Sequence, residues 1–108
     1  MRTLSGDIWD WYGKSTIVIS TNGFVKNNGE CVMGRGVAFQ AKNRFPPLPR
    51  LLGRHIGLHG NGVFLFLQYD LITFPVKHNW WEKADPILIE RSAKQLVSLL
   101  DLTKGGPD

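Results

Sequence analysis

Cysteine is nearly absent from this sequence: Cys31 is the only one in 108 residues. A disulfide framework within the chain and a cysteine-rich zinc site are both excluded, and a reducing compartment is the natural setting. Long apolar runs are missing too. No stretch can span a bilayer, and the opening MRTLSGDIWDW has no apolar run of signal-peptide length. The expectation is a cytoplasmic chain with no membrane partner. There is no internal repeat and no low-complexity linker. His55, His59 and His78 have no carboxylate or cysteine at metal-ligand spacing, so no metal is expected.

What is present is ordinary for a folded chain. Hydrophobic residues make up 43% and charged residues 20%, which argues against disorder and for one small domain. The formal charge of +4 and the pI of about 9.5 favour anionic partners. The Lys and Arg residues are scattered along the chain, however, and form no run.

Local patterns place the elements. Residues 2–5 and the β-branched STIVIS (15–20) read as strands, the second followed by an Asn/Gly-rich loop over 21–33. Val37, Ala38, Ala41 and Phe45 share one face of a helix that Pro46-Pro47 ends. A second helix fits 48–59, closed by His59-Gly60-Asn61-Gly62. Strands at 63–68 and 71–75 flank Tyr69-Asp70, and Pro75 is expected to end the second. Asp85 and Pro86 are suited to open a last helix, with Ile89, Ala93, Leu96, Val97 and Leu100 on one face. Strands interleaved with helices predict an α/β layered domain.

Three loops that follow strands carry the candidate chemistry: Gly6-Asp7-Ile8, the loop over 21–33, and residues 76–85. Ligands collect where such loops meet at strand ends. The middle loop runs through Gly34-Arg35-Gly36 into a helix. The N–H groups of that helix's first turn lack internal partners and sit at the positive end of the dipole. Gly-x-Gly serves equally as a turn and as a loop that lets phosphate approach the backbone. Taken singly, Asp7 reads as a turn residue, Asn22 as a loop residue, and Lys77 as a surface lysine. Trp80 and Trp81 suit stacking on a base or covering the core, one of each being expected. Phe39, Gln40 and Lys42 read as ordinary helix surface and packing.

Taken together and in order, Gly6-Asp7-Ile8, the strand ending Thr21-Asn22, Val32-Met33-Gly34-Arg35-Gly36-Val37-Ala38, Lys42, Phe45-Pro46 and Ile72 to Glu82 resemble the macrodomain family. Members of that family bind ADP-ribose. The last run is similar to the branch that removes ADP-ribose from modified macromolecules, including antitoxin-type hydrolases acting on ADP-ribosylated DNA. The resemblance covers nearly the whole chain and implies a mixed sheet with flanking helices over residues 1–108. It also implies that Asp7 accepts from the adenine amino group and that Ile8 backs the ring. Asn22 would face the distal ribose, and Gly34, Arg35, Gly36 and Val37 would form the first phosphate loop. Lys77 would act at the anomeric centre, with no cofactor. Arg35 departs from the small residue common in relatives. A second glycine-rich loop, which in the family follows a further strand, is not found. The domain is therefore expected to be incomplete at its C-terminal end, to be completed by a second copy in a homodimer, or to differ from the family in topology. A binding module without catalysis, and a small basic nucleic-acid-binding protein, are the other readings.

Overall fold

The computed structural model describes residues 8–104. The strand expected over 2–5 and Gly6-Asp7 lie outside the described residues. A 3₁₀ turn at Ile8–Trp11 leads into β1 (Ile17–Asn22), α1 (Gly36–Arg44) and α2 (Leu48–His59). Then come β2 (Phe64–Phe66), a 3₁₀ turn at Leu67–Tyr69, β3 (Leu71–Lys77) and α3 (Pro86–Lys104). The sheet is mixed, in the order β1-β3-β2, with β1 parallel and β2 antiparallel to the central β3. Among the described strands, the outer edge of β1 has no neighbour.

Helices α1 and α2 cover the face that carries Ile17, Ile19 and Leu71. There Ala41, Leu48 and Leu52 are buried with them. Each fully buried Ile or Leu side chain here contributes about 1.5–3 kcal/mol. One end of this layer is closed by aromatic rings, with Phe45 stacked on Tyr69 at 4.4 Å and edge-on to Trp9 at 6.2 Å. The Tyr12 hydroxyl donates to the Tyr69 carbonyl at 2.7 Å, tying the first 3₁₀ turn to the β2–β3 connection. That connection turns at Asp70, a non-glycine residue in the left-handed region with φ 52°.

Several expected boundaries move. β1 begins at Ile17 rather than residue 15 and runs on to Asn22. β2 is cut to Phe64–Phe66, because the chain tightens into a 3₁₀ turn where an extended run was expected. Pro75 does not end β3, which continues to Lys77. The pairing with β2 stops at Thr73, so around Pro75 the strand has β1 alone as a neighbour, a position where proline is tolerated.

The last helix is capped as expected, with the Asp85 carboxylate accepting from the Ile87 N–H at 3.0 Å. Its inward face is a correction. Leu88 and Ser92 are the buried positions, whereas Ala93, Val97 and Leu100 are exposed. The Ser92 hydroxyl donates to the Pro75 carbonyl at 2.8 Å, so a polar residue sits satisfied where apolar periodicity would not place one. The opposite flank meets the start of β2, where the Val63 N–H donates to the Gln95 side-chain oxygen at 3.0 Å.

Candidate functional site

β1 and β3 run parallel and end together, with Asn22 paired in register to Lys77 after a shift at Thr21. The loops leaving these two strand ends frame a cleft of about 580 Å³, within the range of small-molecule sites. Asn22, Gly34, Arg35 and Lys77 all line it, so four expected site residues from three separate segments converge.

Local geometry explains how each is held. Asn22 is buried, and its amide shapes the loop that follows: its Nδ2 donates to the Val32 carbonyl at 3.0 Å and its Oδ1 accepts from the Phe24 N–H at 2.9 Å. One amide hydrogen remains for a ligand. The same loop is bound to α2 through the Cys31 N–H, which donates to the Pro49 carbonyl at 2.9 Å. Gly53 makes this approach possible, because a Cβ there would overlap the carbonyl oxygen of Gly29. The buried Cys31 thiol donates to the Asn22 carbonyl at 3.4 Å, and burial pushes its pKa up to about 12.

Arg35 occupies the N-cap position of α1 in an extended conformation, without a side-chain cap bond. The first turn of that helix contains no acidic residue, so its positive end is not compensated locally. Gly36 begins the helix at φ +58°, a conformation that favours glycine. The two glycines thus differ: Gly36 is required by the turn, while Gly34 lines the cleft with nothing within 4 Å of an added Cβ. Gly36 and Val37 are not among the cleft-lining residues, and Val37 packs against the core instead. Ile8 is also not among them, and Asp7 lies outside the described residues.

The cleft also contains residues that the sequence reading did not single out as ligands. Lys26 lines one side, and Met33 and Ala38 contribute apolar floor. Trp80, one of the two tryptophans suited to stacking on a base, is the one aromatic side chain in the lining. The Lys77 ammonium donates to the Trp80 carbonyl at 3.0 Å, fixing the turn that carries the indole. Trp81 does not cover the core beneath α3. It packs edge-on against Phe24 at 5.5 Å and against Trp80 at 5.4 Å. Lys26, Arg35 and Lys77 give the lining three cations, and neither a carboxylate nor an imidazole belongs to it. Such a surface is suited to an anion carrying apolar or aromatic parts. No group of three His, Cys, Asp or Glu side chains among the described residues is placed to hold a metal, and no described helix is long and apolar enough to cross a membrane.

No protein-family model matches the sequence, and no curated protein matches it significantly. The fold is matched by solved structures. The macrodomain of Mycobacterium tuberculosis DarG superposes with a TM-score of 0.72 at 23% identity, over 93% of this chain and 67% of that one. The macrodomain of Thermus aquaticus DarG gives 0.67 at 24% identity, over 82% of this chain and 60% of that one. The chain therefore has the macrodomain fold, a mixed sheet with flanking helices, over about three fifths to two thirds of the length of these structures.

Proposed function

We propose that this chain binds ADP-ribose in the cleft between the ends of β1 and β3, as the terminal group of a modified macromolecule. DNA is the class of target to which the sequence resemblance points. The observation that carries this reading is the convergence of Asn22, Gly34, Arg35 and Lys77 on one cleft with three cations and no carboxylate in its lining. A diphosphate would lie across Gly34 and the uncapped start of α1, where N–H groups lack partners. The distal ribose would meet the remaining Asn22 amide hydrogen and Lys77.

Hydrolysis is the second reading. Water would add to the anomeric carbon of the distal ribose as the bond to the target breaks. The target would leave with a proton, giving free ADP-ribose and an unmodified acceptor. In this reading Lys77 would give electrostatic help to the departing group, and its hydrogen bond to the Trp80 carbonyl ties it to the loop. The described lining offers no carboxylate or imidazole to activate water, which favours recognition over turnover.

Calorimetric titration with ADP-ribose, with AMP as control, tests the reading. Saturable binding that prefers ADP-ribose is expected. A chain that melts cooperatively yet binds neither ligand would refute it.

A further inference from the structure

Lys26 reaches the cleft by a route of its own. It lines the cleft from a position just past the end of β1, inside the Asn/Gly-rich segment expected to be a loop. That segment is a closed hairpin. Val25 and Cys31 form an antiparallel bridge, and the Val32 N–H donates to the Phe24 carbonyl at 3.0 Å. The Lys26 N–H donates to the Glu30 carbonyl at 2.8 Å. The turn at the tip is closed by the Gly29 N–H, which donates to the Lys26 carbonyl at 2.9 Å, with Gly29 at φ +87°. The Asn28 side chain accepts from the Glu30 N–H at 3.0 Å.

This hairpin is braced from two sides. Its tip rests on α2, where the Gly29 carbonyl oxygen leaves no room for a Cβ on Gly53. Its base is held by the loop after β3, where the Gly23 N–H donates to the His78 carbonyl at 3.1 Å and Phe24 makes a T-shaped contact with Trp81. Lys26 is thus delivered on an ordered backbone, so that only its side chain loses freedom when it meets a ligand. The carboxylate beside its ammonium is that of Glu30, with 3.7 Å between Nζ and Oε1. That distance is too long for a hydrogen bond, and both side chains are partly exposed. The pair is therefore weak and does not commit the N–H donors of the ammonium. Lys77, by contrast, has already given one N–H to the Trp80 carbonyl.

We infer that Lys26 is a ligand-binding residue of the cleft, whose ammonium leaves the Glu30 carboxylate for a phosphate oxygen of the ligand's diphosphate. The inference rests on the reading that the cleft holds ADP-ribose, and adds the residue that reads its charge. A phosphate oxygen is the fitting partner because a compact ammonium gains about twice as much from a charged acceptor as from a neutral ribose hydroxyl. Glu30 is not part of the lining, so the exchange brings no carboxylate into the cleft.

Calorimetric titration with ADP-ribose, and with ADP, which lacks the distal ribose, tests the exchange in the wild type and three variants. The hairpin's own hydrogen bonds use backbone groups and the Asn28 side chain. Lys26→Gln, Lys26→Arg and Glu30→Gln should therefore melt as the wild type does. Lys26→Gln is expected to weaken both ligands about tenfold, and Lys26→Arg to restore most of the loss. Glu30→Gln is expected to tighten both by about two- to fivefold, because the competing partner of the ammonium is gone. A pair that served only the hairpin would weaken binding in Lys26→Gln and Glu30→Gln alike. Equal affinity of Lys26→Gln and wild type, a Glu30→Gln protein that binds no more tightly, or a Lys26→Gln loss confined to ADP-ribose would overturn the proposal and leave the ADP-ribose reading standing. A wild type that melts cooperatively and does not bind ADP-ribose would overturn that reading, and this inference with it.

Discussion

The Lys77 ammonium donates to the Trp80 carbonyl at 3.0 Å, so the cation at the end of β3 and the aromatic wall of the cleft are held as one unit. A change at either residue is therefore felt by the other. Both stand at the end of the cleft where Asn22 enters.

Lys77→Ala removes a cation from the cleft and releases the turn that carries Trp80. Affinity for ADP-ribose is expected to fall by about tenfold, in line with loss of one charge-assisted hydrogen bond. Tryptophan emission should shift as the turn loosens. If the chain hydrolyses ADP-ribosylated targets, turnover should vanish in the same variant. Unchanged affinity together with unchanged emission would count against the coupling.

The two glycines of the Gly-Arg-Gly stretch are expected to separate stability from binding. Gly36→Ala forces a Cβ into a left-handed conformation and should cost about 1–2 kcal/mol in urea unfolding. Gly34→Ala meets no protein atom, so its stability should be nearly unchanged while its ADP-ribose affinity drops. A Gly34→Ala protein that binds as the wild type does would remove the phosphate from that part of the cleft.

Asn22 contributes to the fold before any ligand arrives. Asn22→Ala leaves the Val32 carbonyl and the Phe24 N–H without their partner, at about 1–3 kcal/mol for each buried group left unmade. Denaturant unfolding should show a clear loss of stability, and ADP-ribose binding should weaken with it. Asn22→Asp retains the acceptor for Phe24 but sets a buried carboxylate against the Val32 carbonyl, and should cost at least as much as Asn22→Ala.

Cys31 sets a pH dependence at the alkaline end. Its pKa is raised from 9.0 to about 12 by burial, so the folded chain keeps the thiol neutral where the unfolded chain ionises. The stabilisation is intact below pH 9 and is lost at about 1.4 kcal/mol per pH unit as pH rises toward 12. Cys31→Ser should flatten that part of the stability profile. In the native wild type the thiol should resist alkylation at neutral pH.

The ends of the helices were legible because they rest on local chemistry, whereas the strand ends were not. Pro46-Pro47 stops α1 and the Asp85-Pro86 pair starts α3, since a missing N–H and a capping carboxylate act within a few residues. α2 matches its expected span for the same kind of reason, with Gly60 beyond its end at φ +87°. The glycines before α1 were visible too, although residue type alone did not distinguish the turn requirement of Gly36 from the open approach at Gly34.

The tertiary structure decided which side chains meet. Asn22 and Lys77 are 55 positions apart and come together through parallel pairing of β1 with β3, which no local pattern encodes. It also decided that α3 turns Ser92 inward, because the Pro75 carbonyl waits there, and so leaves Val97 exposed. Local sequence fixes where backbone hydrogen bonding can begin and end within a few residues. The cleft depends on contacts between distant segments, and those exist only once the core has packed.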